Sequence, residues 1–151
     1  MSTLGTAIAI AAKAHEGQVD QGGAPYILHP LRVMLRVDTN EERIVAVLHD
    51  VVEDCEGWSF EQLKAEEFSA KVIEALKALT KREEGEPDYE AYVQRAAANP
   101  IAIRVKLADL EDNCNLSRIA FPTEGDIQRI AKYRRAIEIL KAAASPRCAA
   151  N

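Results

Sequence analysis

At 151 residues the chain has the length of one domain, enough to bury about two-thirds of its unfolded surface. A hydrophobic content of 48 % with only 5 % aromatics and abundant alanine favours helices over a β-sandwich. The net charge of −5 supplies no positive field to gather phosphate backbones, which argues against nonspecific nucleic-acid binding.

Thr3 to His15 predicts a helix with Leu4, Ile8, Ala11 and Ala12 or His15 on one face. Gly17 to Tyr26 holds Gly22-Gly23 and Pro25 and predicts a loop. Pro30 is expected at the first position of a second helix, where a missing N–H costs nothing, and that helix runs to about Val37. Asp38-Thr39-Asn40 before Glu41-Glu42 marks the start of a third, expected to continue to about Glu53. Gly57-Trp58-Ser59 is a break, and Ser59 with Gln62 reads as the capping box of a short helix. Ser69 to Thr80 is amphipathic, with Val72, Ile73, Leu76 and Leu79 inward. Lys81 to Pro87 is charged and reads as a surface loop. Asp88 to Ala98 predicts a helix, and Asn99-Pro100 opens another from Ile101 to about Leu116. Pro122 to Asp126 breaks the chain before a last helix, Ile127 to Ala144, with Ile130, Tyr133, Ile137 and Leu140 on one face. Residues 145–151 read as a frayed tail. The expectation is one all-α domain over residues 1–151, a bundle of about eight helices. Its core should hold Ile44, Val47, Leu48, Val72, Leu76, Val105 and Leu116.

Cys55, Cys114 and Cys148 are odd in number and form no CxxC pair, the usage of reduced thiols in a cytoplasmic protein. The apolar run Ala7 to Ala12 is too short to span a bilayer, and no basic segment precedes it, so neither a signal peptide nor a membrane partner is expected. No Walker-type glycine loop, no GxGxxG and no serine elbow occurs.

The chemistry concentrates in Ala46-Val47-Leu48-His49-Asp50-Val51-Val52-Glu53-Asp54, an apolar stretch interrupted by four groups that bind metals or move protons. Burying unpaired imidazoles and carboxylates costs several kcal/mol each, on the order of the penalty for any uncompensated charge. A metal ion removes that cost. His29, in Ile27-Leu28-His29-Pro30, and Asp109, in Leu107-Ala108-Asp109-Leu110, add two more ligands. Two histidines and two aspartates form a mixed N/O set suited to Mn²⁺, Fe²⁺ or Zn²⁺. At three- and four-residue helical spacing Glu53 and Asp54 fall beside His49 and Asp50, where a metal-activated water needs a group to take its proton and later deliver one. For Asp109 the plain alternative is a salt bridge with Lys106, one turn earlier; the apolar neighbours favour a ligand. His15, with Gln18 nearby, reads either as orienting a group that supports the site or as a cap of the first helix.

In order, Ala14-His15-Glu16-Gly17-Gln18, Pro25-Tyr26-Ile27-Leu28-His29-Pro30-Leu31, Leu48-His49-Asp50-Val51-Val52-Glu53-Asp54, Leu79-Thr80-Lys81 and Val105-Lys106-Leu107-Ala108-Asp109-Leu110 resemble the HD-domain hydrolases of the RelA/SpoT homologue group. The resemblance covers roughly residues 3 to 140, and the length is similar to that of the small alarmone hydrolases. It implies Mn²⁺, or another divalent ion, on His29, His49, Asp50 and Asp109. Glu53 and Asp54 would handle the water and its proton, and Asn113 would contact the ribose region. The implied reaction removes the 3′-pyrophosphate from a guanosine tetra- or pentaphosphate. Two departures bear on the base. Asp20-Gln21 stands where the family commonly has an Arg-Lys pair, and Asn115 stands where it often has an arginine, with Arg118 one turn on. Lys106 and Arg118 remain as candidate phosphate contacts. Asp20 and Gln21 could accept a hydrogen bond from the adenine amine, so guanine preference is expected to be relaxed or shifted. In so short a chain only hydrolysis is expected, on a nucleotide substrate, with an oligomer left open. Rival readings are a metal-dependent phosphatase of another phosphorylated nucleotide or cofactor, a nonenzymatic nucleotide sensor, and a helical bundle without metal. Glu53-Asp54 weighs against the sensor, which needs no proton shuttle.

Overall fold

The computed structural model describes residues 1–81 and 89–144. Most of the expected charged loop and the whole expected tail, 145–151, lie outside them. The described residues form nine α-helices: α1 Leu4–Ala14, α2 Leu28–Leu35, α3 Asn40–Leu48, α4 Val51–Asp54, α5 Phe60–Ala65, α6 Ala70–Leu79, α7 Tyr89–Ala97, α8 Pro100–Asn113 and α9 Glu124–Ala144, with a 3₁₀ turn at Leu116–Arg118. Among the described residues the only extended pairing is one isolated antiparallel bridge, Val19 with Pro25.

Side-chain caps start the helices where the sequence places them. The hydroxyls of Thr3, Thr39, Ser59 and Ser69 and the Asn99 side chain accept from the first turns of α1, α3, α5, α6 and α8. At α3 the cap is reciprocal: Glu42 Oε2 accepts the Thr39 amide while Thr39 Oγ1 accepts that of Glu42.

Two helices make the centre. Ile44, Val45, Ala46, Val47 and Leu48 of α3 are all buried, so the second half of this helix is apolar around its circumference. α3 packs against α1, α2, α6 and α8, and α8 packs against α2, α3, α6, α7 and α9. Fully enclosing a leucine such as Leu48 or Leu110 stabilises the fold by about 1.5–3 kcal/mol each. The polar residues of interest sit at the C-terminal end of α3, along α8, and on the first turn of α2, which packs on both.

Several sequence expectations shift here. The third helix is not continuous. His49 Nδ1 lies 2.5 Å from the Ala46 carbonyl, the acceptor that the Asp50 amide would use in an unbroken helix, and the chain turns at His49-Asp50 before resuming as α4. That break turns the expected eight helices into nine. α2 begins at Leu28, so Pro30 sits in the third position and His29 lies inside the first turn, where amides still need no intrahelical acceptor. α8 ends at Asn113 because the Asn115 side chain accepts from the Ser117 amide and starts the 3₁₀ turn instead. Leu116 is therefore half-buried rather than in the core. α9 starts at Glu124, three residues before the expected point. Thr123 and Asp126 cap each other there: the Thr123 amide donates to Asp126 Oδ2, and the Asp126 amide to Thr123 Oγ1.

Candidate metal centre

His29 from α2, His49 and Asp50 from the α3–α4 break, and Asp109 from α8 converge. One ligand atom each from His29, His49 and Asp50 lies within 4.8 Å of the others. Asp109 joins through one oxygen: its Oδ1 is 2.9 Å from His29 Nε2 and 3.4 Å from His49 Nε2. Asp50 Oδ2 is 3.0 Å from His49 Nε2 and 3.8 Å from His29 Nε2. Both imidazoles and Asp109 are buried. The helix break is what brings His49 and Asp50 together, since adjacent residues of a regular helix point about 100° apart.

Burial opposes charge on His49, but Asp50 and Asp109 outweigh it and hold its imidazole well above the ordinary histidine range. At Asp109 burial is likewise outweighed, by Lys106 first and then by the two histidines, which hold the carboxyl well below its usual range. His49 Nε2 is enclosed and has no hydrogen-bond partner of good geometry. A buried imidazole nitrogen among two carboxylate oxygens and a second imidazole fits a divalent ion of borderline hardness, which would take the place of the protons that now balance the cluster.

Around this set the structure supplies supports that sequence reasoning overlooked. Asp112, fully buried on α8, accepts from His29 Nδ1 at 2.7 Å. It is held in turn by Arg32, Nε to Oδ1 at 2.9 Å and Nη2 to Oδ2 at 3.1 Å. The Tyr26 hydroxyl donates to Asp50 Oδ2 at 2.5 Å. The signal for Asp112 was its spacing, three residues past Asp109 on one helix, but Glu111-Asp112 reads equally as a solvated acidic pair. Lys106 does form the salt bridge to Asp109, at Oδ2 and 2.8 Å, leaving Oδ1 to the histidines. The carboxylate thus takes both roles that the sequence offered.

Glu53 lines a cavity of about 130 Å³ with both histidines and Asp50; Asp54 lies outside that lining. Glu53 Oε2 also accepts the Lys81 amide at 3.2 Å. Burial, then Asp50 and Glu53, push the Asp54 carboxyl up to about 6. A neighbouring cavity of about 300 Å³ shares Tyr26, His29 and Asn113 with the centre and is lined by Arg32, Arg118 and Arg129. Its far wall is the loop carrying Asp20-Gln21. That loop packs so closely on the 3₁₀ turn that a Cβ on Gly22 would meet the Arg118 carbonyl at 2.6 Å. Asn113 donates to Asp109 Oδ1 at 3.1 Å, and Arg118 donates to the Asp112 carbonyl at 3.0 Å, so both are engaged as well as cavity-lining. Gln21 Oε1 accepts from Arg129 at 3.0 Å.

Among the described residues no helix is long and apolar enough to cross a membrane. A guanosine-3′,5′-bis(diphosphate) 3′-pyrophosphohydrolase of Haemophilus influenzae is 36 % identical over 143 residues, spanning 87 % of this chain and 20 % of that protein. The bifunctional (p)ppGpp synthase/hydrolase SpoT of Escherichia coli is 32 % identical over 148 residues, 91 % of this chain and 20 % of that protein. The chain thus spans about a fifth of the length of these relatives. A solved structure of a metazoan ortholog of SpoT that hydrolyses ppGpp has a TM-score of 0.81, covering 96 % of this chain and 89 % of that one, at 22 % identity, a likeness of fold. Residues 7–106 match the HD domain and take in His29, His49, Asp50, Glu53 and Asp54, and on that match the chain belongs to the HD domain family.

Proposed function

We propose that this protein is a divalent-metal phosphohydrolase that removes the 3′-pyrophosphate from a guanosine tetra- or pentaphosphate alarmone. The observation that carries the reading is the His29, His49, Asp50 and Asp109 cluster opening beside an arginine-lined cavity. These four would hold a divalent metal, Mn²⁺ in our reading, which when bound would activate a water and polarise the scissile phosphoryl oxygen. Glu53, on the wall of the metal cavity, takes the proton from the water. Asp54, next in the chain to Glu53 and with its carboxyl raised to about 6 by burial and by Asp50 and Glu53, is the group from which a proton would reach the leaving oxygen. Lys106 holds Asp109 in place and lends positive charge beside the phosphoryl group. Asn113 stands between the two cavities, where the sugar would bridge them.

The remaining phosphates and the base would occupy the larger cavity, with Arg118 and Arg129 as cations and Gln21 at the wall. Two oxygens that could receive an adenine amine are already engaged: Asp20 Oδ1 by the Gly22 and Ala24 amides, and Gln21 Oε1 by Arg129. With those acceptors engaged the ground for a shift to adenine falls away, so guanosine is the base in this reading, as in the named substrate of the Haemophilus influenzae relative, with selectivity relaxed by the lost Arg-Lys pair. The setting is cytoplasmic in this reading, consistent with free Cys55 and Cys114.

The test is a nucleotide panel with purified, Mn²⁺-loaded protein and resolved products. Pyrophosphate released from guanosine 3′,5′-bis(diphosphate) is the expected result. Orthophosphate from a phosphomonoester, with no pyrophosphate from any alarmone, would move the assignment to the phosphatase reading. Binding without turnover would move it to a sensor.

A further inference from the structure

α4 is the weakest-built element near the metal centre. Its four residues contribute two backbone bonds, Asp54 N–H to the Asp50 carbonyl at 2.9 Å and Cys55 N–H to the Val51 carbonyl at 3.1 Å. One helical turn has no stability of its own, because nucleation fixes several residues for a single bond. Its carbonyl at Asp54 lies beyond the reach of any intrahelical donor. Yet α4 carries Glu53 and Asp54. Something outside it must fix where those carboxylates stand: the Lys81 amide holds the Glu53 carboxylate directly, and the backbone end of the turn needs a hold of its own.

The side chain that reaches it is Gln18. Its Nε2 donates to the Asp54 carbonyl at 3.2 Å and lies 3.7 Å from Cys55 Sγ. Its Oε1 accepts from His15 Nδ1 at 2.8 Å. His15 is 2 % exposed, sits with Nδ1 3.4 Å from Cys55 Sγ, and packs its ring 5.0 Å from that of Tyr26. An imidazole N–H at that oxygen settles which end of the carboxamide is which, leaving the NH₂ group for Asp54. The Gln18 backbone is fixed too: its amide donates to the His15 carbonyl at 3.0 Å, and its carbonyl accepts the Tyr26 amide at 2.9 Å. Tyr26 meanwhile bonds Asp50. The two ends of the His49-to-Cys55 segment are therefore gripped from one loop, Asp50 by Tyr26 and Asp54 by Gln18.

We propose that Gln18 is a positioning residue: its carboxamide, oriented by His15, holds the C-terminal end of α4 and so sets where Glu53 and Asp54 stand relative to the metal ligands. The inference rests on the reading of Glu53 and Asp54 as the groups that move the proton. Gln18 touches none of His29, His49, Asp50 or Asp109 by any hydrogen bond in the structure, so its loss should leave metal binding alone.

Two variants separate this from a general structural role. Gln18→Glu keeps an acceptor for His15 and removes the donor to Asp54; Gln18→Met keeps the length and removes both. Hydrogen exchange of the Asp54 and Cys55 amides reads the hold on α4 without any substrate. The expected result in both variants is exchange faster by roughly fivefold, the equivalent of one lost hydrogen bond, with Mn²⁺ content unchanged. With the nucleotide substrate, kcat should fall about ten- to a hundredfold at unchanged KM, since small displacements of reacting groups cost rate rather than binding. Unchanged exchange with unchanged kcat overturns the proposal, as does loss of Mn²⁺ from either variant, or failure of both to fold. If the unaltered protein hydrolyses no alarmone, the functional reading fails on its own, and the exchange measurement still decides whether Gln18 holds α4.

Discussion

Asp112→Asn is the sharpest probe of the metal centre, because it changes charge and hydrogen bonding at nearly constant volume. The Asp112 carboxylate is enclosed, with Oδ2 2.7 Å from His29 Nδ1 and with Arg32 on both oxygens. A carboxylate at Nδ1–H fixes the tautomer that leaves the Nε2 lone pair free for a metal and raises the basicity of the ring. An asparagine cannot serve both partners. If its oxygen stays with His29, its NH₂ group faces the Arg32 donors; if it flips, it meets His29 donor to donor. Loss of such a support costs about 10- to 100-fold in metal affinity, equal to about 1.4–2.8 kcal/mol. Titrating Mn²⁺ into chelator-treated protein by calorimetry measures it, with circular dichroism confirming the fold. The same substitution gives a pH signature in the metal-free protein. Burial acts to raise the Asp112 carboxyl, but hydrogen bonds from His29 and Arg32 outweigh it and hold the group below the ordinary carboxylate range. Its contribution to stability is therefore present above about pH 4 and is lost as pH falls below that. The stability gap between the parent chain and Asp112→Asn should narrow in acid. A destabilised variant with unaltered Mn²⁺ affinity would refute the argument and leave Asp112 as a salt bridge to Arg32 and no more.

Other outcomes follow from the same geometry. Asp50→Ala should lose bound metal and activity together, whereas Glu53→Gln should keep the metal and lose about 10²- to 10⁴-fold in kcat; metal analysis beside steady-state rates distinguishes them, and an emptied Glu53→Gln site would make Glu53 a ligand. Removing the metal should lower the melting temperature by about 5–10 °C, the shift expected of a 150-residue domain when metal at a hundred times its dissociation constant is withdrawn; an unchanged melt would place the metal outside the folded centre. Arg129→Gln should lower kcat/KM on the guanosine alarmone by about tenfold while sparing Mn²⁺ affinity, because Arg129 lines the larger cavity and contacts no ligand. Matched guanosine and adenosine substrates, compared by kcat/KM, should show a preference for guanosine; equal rates would mean that neither Arg129 nor Gln21 reads the base.

The sequence by itself determined the helices and their caps, because those depend on neighbours three or four residues away. Thr39 with Glu42, Ser69 before an apolar face, and Asn99-Pro100 are local instructions, and the structure follows each. Thr123 with Asp126 was the same kind of instruction, masked by Pro122 and Gly125. It also named the four residues that converge, since a histidine or aspartate inside an apolar run must find a partner. Two things lay beyond local spacing. The turn at His49-Asp50 arises where the His49 ring engages the Ala46 carbonyl, a competition that helical periodicity does not register. The partners of the ligands come from distant segments: Asp112 reaches His29 across 83 residues, Tyr26 reaches Asp50 across 24, and Gln18 reaches Asp54 across 36. Which residues such contacts join carries no signature in a single chain: His15 with Gln18 reads as a candidate orienting pair, but neither spacing nor periodicity names Asp54 as its target, and Asp112 reads as one of two solvated acids. Only the packing of α2 and α3 on α8 removes water from around them, and a polar group deprived of water must pair with whatever the tertiary structure has placed within reach.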